Sequence, residues 1–164
     1  MKAKRFIAFL LSVVFSTAAH SAGSAKEESE TLMNAVLPMA EKLLEQHGEF
    51  FPFGAAMKPS GEIVDVAGYD GREHPPSADI IKLLESAFAK AAAAKQYKAT
   101  ALVYDVKVTP PSSNKKSDAI AVALDHVDKY SVVVFFPYEL VNGKLQLGPV
   151  FAQKGAELIF RKAQ

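Results

Sequence analysis

The stretches TALVYDVKV (residues 100–108), DAIAVALDH (118–126) and SVVVFFPY (131–138) decide the fold. In the first, Leu102, Tyr104, Val106 and Val108 alternate with Ala101, Val103 and Asp105, the period-two pattern of a strand. In the second, Ile120, Val122 and Leu124 share one face. Ala119, Ala121 and Ala123 share the other and are small enough for a helix to approach closely. The third holds an unbroken run, Val132 to Phe136, the pattern of a central strand buried on both faces. Val127-Asp128-Lys129-Tyr130 reads as the tight hairpin between the last two. The polar, proline-rich segment 109–117 reads as an exposed loop between the first two.

Upstream, Ile81, Leu84, Phe88 and Ala91 recur at helical spacing and predict a helix over 78–95, with Ser77 as its N-cap and Asp79 in its first turn. Before it, Glu49 to Met57 and Glu62 to Tyr69 read as two strands of a hairpin turned at Lys58-Pro59-Ser60-Gly61. Pro52 argues that the first of these is an edge strand or carries a bulge. Leu32, Val36, Met39 and Leu43 predict a helix over about 30–47, bent at Pro38 or split there, with Gly48 as its C-cap. Downstream, Asn142-Gly143 marks a further hairpin leading to a short strand at Leu145 to Leu147. Ala156 to Phe160 is an apolar end segment, strand or helix, with Gly155 favouring strand.

The order α-β-β-α-β-β-β predicts an α+β domain: a single antiparallel sheet of about five to six strands with two main helices packed on it. The layout is similar to that of profilin-like and roadblock-like domains, an analogy at fold level that carries no function. The stretches Glu49-Phe50-Phe51-Pro52-Phe53-Gly54, Ala101 to Val106 and Lys116 to Val122 resemble a group of uncharacterised small bacterial domains. In that group an aromatic-Pro-Phe segment precedes a strand that ends in a Thr-Pro-Pro-like loop. The resemblance covers most of residues 30–160 and implies no activity, cofactor or catalytic residue.

Residues 1–22 are a different kind of polymer. Lys2, Lys4 and Arg5 precede an apolar run from Phe6 to Phe15 broken only by Ser12, and small residues follow. This is the three-part pattern of a Sec-type signal peptide, and the run is too short to span a bilayer. Cleavage is expected after Ala19, Ser21, Ala22 or Ser24. Residues 23–30 read as a flexible leader and 31–164 as one domain. Losing Lys2, Lys4 and Arg5 from 19 basic residues leaves 16 against 18 acidic ones, so a net charge of +1 becomes −2. That balance excludes a strongly basic nucleic-acid binder. The absence of Cys excludes disulfides, thiolate metal sites and a lipidated N-terminal Cys. The expected location is periplasmic or secreted.

No Gly-x-Ser-x-Gly, Walker or Gly-x-Gly-x-x-Gly motif is present. His47, His74 and His126 show no metal-ligand spacing, so no metal or cofactor is expected. The most site-like segment is Tyr69-Asp70-Gly71-Arg72-Glu73-His74, in which Asp70, Arg72 and His74 offer general acid–base chemistry. Asp105, a carboxylate inside an apolar strand, is a further catalytic candidate. It is to be compared with Asp65, and with Tyr104 and His126 as possible members of one enclosed space. Phe51, Phe53 and Tyr69 are the candidate binding residues, as an aromatic patch on the first strand and the loop. Two functions follow. One is an exported binding module for another envelope protein or a small ligand. The alternative is a small hydrolase built on residues 69–74.

Overall fold

The computed structural model describes residues 24–161. The expected signal segment, residues 1–22, lies outside them. The chain forms α1 (Ala25–His47), β1 (Phe53–Met57), β2 (Ile63–Ala67), α2 (Ser77–Ala93), β3 (Ala99–Val108), β4 (Ser117–His126), β5 (Tyr130–Val141), β6 (Lys144–Leu147) and β7 (Phe151–Lys154). The strands make one antiparallel sheet in the order β2-β1-β3-β4-β5-β6, with β7 also paired to β5. This is the α+β class and element order expected, extended at the end by β7. Among the described residues no helix is long and apolar enough to cross a membrane.

Period-two alternation gives the sheet two different faces, and the two helices take one each. Ala55, Ala101, Val103, Ile120, Val122 and Leu124 meet Leu32, Val36, Ala40 and Leu44 of α1 in the larger core. Ala56 and Leu102 meet Ile80, Leu84 and Phe88 of α2 in the smaller one. The phenyl ring of Phe88 fits because β1 has no side chain at Gly54. A Cβ there would stand 2.7 Å from the Phe88 ring and 2.5 Å from the Ala101 carbonyl oxygen.

Helix α1 starts earlier than periodicity suggests. Residues 25–30, read as a flexible leader, are its first turns. Ser24 caps them in a reciprocal capping box: its hydroxyl accepts from the Glu27 N–H, and the Glu27 carboxylate accepts from the Ser24 N–H at 2.8 Å. Glu28 then ties the helix to the sheet. Its carboxylate accepts from Lys98 Nζ at 2.6 Å and lies 2.9 Å from His126 Nε2. His126 Nδ1 accepts from the Asp128 N–H at 3.0 Å, so Nε2 carries the ring proton and donates it to Glu28. Burial works to raise the Glu28 carboxyl. The hydrogen bonds from Lys98 and His126, with the Lys98 charge, outweigh it and hold the group below its usual range. Ser29 beside it is buried, and its hydroxyl has no partner among the described residues. The helix runs through Pro38 as one element and ends at Gly48 in the left-handed conformation.

Three local expectations change. Pro52 precedes β1 rather than interrupting it, so it removes no ladder bond, and β1 sits inside the sheet between β2 and β3. Ser77 is the first residue of α2, not its cap: Pro76 holds the cap position, and no side chain caps the helix. β5 is central, as its apolar run requires, with β4 on one side and β6 and β7 sharing the other; its first half is half-buried rather than fully buried. Residues 155–160 form no strand. They cross the α2 face of the sheet as an irregular strap that ends with Ile159 in the smaller core.

Candidate functional site

The residues first singled out in the 69–74 loop are engaged with one another at the surface. Asp70 accepts from the Arg72 backbone N–H at 3.0 Å and from Arg72 Nε at 2.8 Å. The guanidinium also pairs with Asp79 at 2.7 Å, which fastens the loop to the first turn of α2. The hydrogen bonds from Arg72 hold the Asp70 carboxyl below its usual range, and those carboxylates raise the Arg72 guanidinium in turn. His74 is exposed, its ring centroid 6.4 Å from that of Phe51. The three groups do not converge with Tyr104, Asp105 or His126, and none of them lines either of the two main recesses.

The other candidates are dispersed as well. Phe53 packs edge-on against Phe50 at 5.8 Å and joins the larger core, whereas Phe51 is 48% and Tyr69 75% exposed. Asp65 stands opposite Ala55, and Ala55 opposite Ala101. Asp105 lies four residues further along β3, so two strand spacings and four residues separate the carboxylates. Asp105 is exposed at its end of the sheet and accepts from the Tyr138 hydroxyl at 3.0 Å. Partial burial of its carboxyl pushes it up, aided by the Asp118 charge, against the Tyr138 hydrogen bond. Beside it, Lys107, Lys116, Asp118 and Tyr138 line a polar groove of about 470 Å³, in which Lys107 and Asp118 already form an ion pair. His126, in the α1 clasp, is on the opposite face of the sheet from Tyr104.

The enclosed space lies instead on the α2 face, as a pocket of about 290 Å³. It exists because α2 stands over β1 and β3 while the strap crosses over β4 and β5, leaving a gap between them. The alanine face of β4, expected to admit a helix, floors this gap with Ala123. Leu102, Val133, Phe88, Ile81, Leu158 and Ile159 supply most of the wall.

Gly155 holds the strap in place. Its N–H donates to the Ser131 carbonyl at 3.0 Å, and the Glu157 N–H donates to the Ser131 hydroxyl at 3.2 Å. A Cβ at Gly155 would lie 2.1 Å from that hydroxyl, so the contact requires glycine.

Three titratable groups open into this apolar space: Glu85 from α2, Tyr104 from β3 and Asp125 from β4. Burial pushes the Asp125 carboxyl up, opposed by the Ser131 hydroxyl and the backbone N–H groups of Ile159 and Leu158. Burial also raises Glu85, and the nearby Asp125 charge adds to it, with Lys82 acting weakly the other way. Tyr104 is raised by burial and by the Glu85 charge. Two carboxylates and a phenol shifted together in one apolar recess mark a site on physical grounds. Tyr104 was legible as a partner for such a space; Glu85 and Asp125 were missed. Asp125 had a signal, since strand parity places it on the same face as Ala119, Ala121 and Ala123.

Among the described residues, no group of three or more His, Asp or Glu side chains is arranged to hold a metal. No family model matches the chain, and no curated protein or solved structure matches it.

Proposed function

We propose that the protein is an exported binding module of the cell envelope that holds a small, largely apolar ligand in the pocket between α2 and the 155–160 strap. The observation that carries this reading is the pocket itself: about 290 Å³, walled mainly by apolar side chains and entered by Glu85, Tyr104 and Asp125. Export is supported by the basic, apolar and small-residue pattern of residues 1–22. The hydrolytic reading has no comparable support, because Asp70 and Arg72 are spent on each other and on Asp79.

The test is calorimetric binding of a small apolar probe such as cyclohexanol to the wild type and to Ala123→Met. A longer side chain on the pocket floor fills the space without touching the larger core, so the variant should stay folded and lose the probe. Equal binding by both proteins would place the probe elsewhere and remove the reading's support.

A further inference from the structure

Cross-strand register arranges the pocket floor in rows. Thr100 stands opposite Asp125, and Asp125 opposite Ser131, giving one polar row over three strands. The next row on the same face is Leu102, Ala123 and Val133, all apolar. Neighbours within a row lie roughly 5 Å apart. One end of the floor is therefore polar and the rest apolar, and Glu85 reaches the pocket from α2 on the opposite wall.

The polar end is unbalanced. The lining contains two carboxylates and no Lys, Arg or His. Neither Glu85 nor Asp125 forms a salt bridge with any described residue. Thr100, 2% exposed, lines the pocket beside them and offers a hydroxyl oxygen as a further acceptor. Two carboxylates in a largely apolar recess, with no cation beside them, call for positive charge from outside. The aromatic side chains of Phe88 and Tyr104 also line the pocket.

We propose that the ligand is a small organic cation, an apolar body carrying a protonated amine. The ammonium group sits at the Thr100–Asp125 end and donates its three N–H bonds to Glu85, Asp125 and the Thr100 hydroxyl, while the body lies over Leu102, Ala123 and Val133. The inference rests on the reading of the pocket as a ligand site and adds the ligand's charge. An ammonium matches the site in donor number and supplies the missing positive charge. An anion would meet two like charges.

The experiment compares three probes of one shape, cyclohexylamine, cyclohexanol and cyclohexanecarboxylate, by calorimetry at pH 7 against the wild type, Glu85→Gln and Thr100→Val. The expected result is amine binding about tenfold or more tighter than the alcohol, with no binding of the carboxylate. Glu85→Gln should weaken the amine by about tenfold and the alcohol by much less. Glu85 is half-exposed on α2, so this variant should fold normally, and Thr100→Val reads the same interaction from the sheet. If the alcohol binds as tightly as the amine, or Glu85→Gln affects neither, the cation is refuted while the pocket stands. If none of the three probes binds, the pocket reading falls and takes the cation with it.

Discussion

Replacing Glu28 by Ala removes the clasp that holds the first turns of α1 on the sheet. The carboxylate makes two charge-assisted hydrogen bonds, with Lys98 at 2.6 Å and with His126 at 2.9 Å, and its side chain is only 12% exposed. Such bonds contribute about 1.5–3 kcal/mol each. Lys98 keeps some contact with water at 20% exposure, so its abandoned charge is partly solvated and the sum must be discounted. The buried His126 ring cannot adapt, because the Asp128 N–H bond to Nδ1 keeps the proton on Nε2, where it loses its acceptor. The expected cost is about 3 kcal/mol, or roughly 10 °C in Tm for a domain of this size.

The loss should also depend on pH. The folded Glu28 carboxyl lies below its ordinary value of 4.5. Its stabilising effect is complete above that value and disappears as pH falls through the lower, folded one. Urea unfolding followed by circular dichroism, at pH 7 and in a series below pH 4.5, measures both effects. Glu30→Ala is the control, an exposed residue whose only ion pair among the described residues is with Lys26 at 3.7 Å, and it should cost under about 0.5 kcal/mol. A Glu28→Ala cost no larger than that of Glu30→Ala, or a gap that persists at full strength in acid, would refute the clasp.

Glu85→Gln should stabilise the ligand-free protein near neutral pH. The folded carboxyl is raised, so wild-type stability falls as pH rises from about 4.5 through the folded value; Gln lacks this loss, and thermal melts should converge in acid. Gly54→Ala should cost about 2–3 kcal/mol in urea unfolding, because the new Cβ meets the Ala101 backbone as well as the Phe88 ring. If the chain is exported and processed as proposed, intact-mass measurement should show a product that still contains Ser24, since cleavage after that residue would remove the capping box of α1 and cost about 1 kcal/mol.

The strands were legible because half-buried strands alternate, and 100–108 and 118–126 do so without a break. The start of α1 was not. Its first inward-facing positions are the partly buried clasp residue Glu28 and the buried Ser29, and polar residues on an inward face are invisible to apolar periodicity. The 69–74 loop drew attention because it concentrates reactive residue types, but a charge-rich loop can satisfy its own charges, and this one does through Asp70, Arg72 and Asp79.

Glu85 and Asp125 escaped for a different reason. They are 40 residues apart, each passing for a solvated position on its own element. What unites them is the lateral placement of α2 over β1 and β3 and the path of the strap across β5, both set by tertiary packing. Thr100 and Ser131 join them only once the strand register is known.

A crystal structure under xenon pressure shows whether the α2-face pocket is an accessible apolar binding site. Apolar cavities of this kind take up xenon. A xenon atom is expected over Ala123, among Phe88, Leu102, Leu158 and Ile159. A fully pressurised crystal with that space empty, or filled by the strap's own side chains, would contradict it.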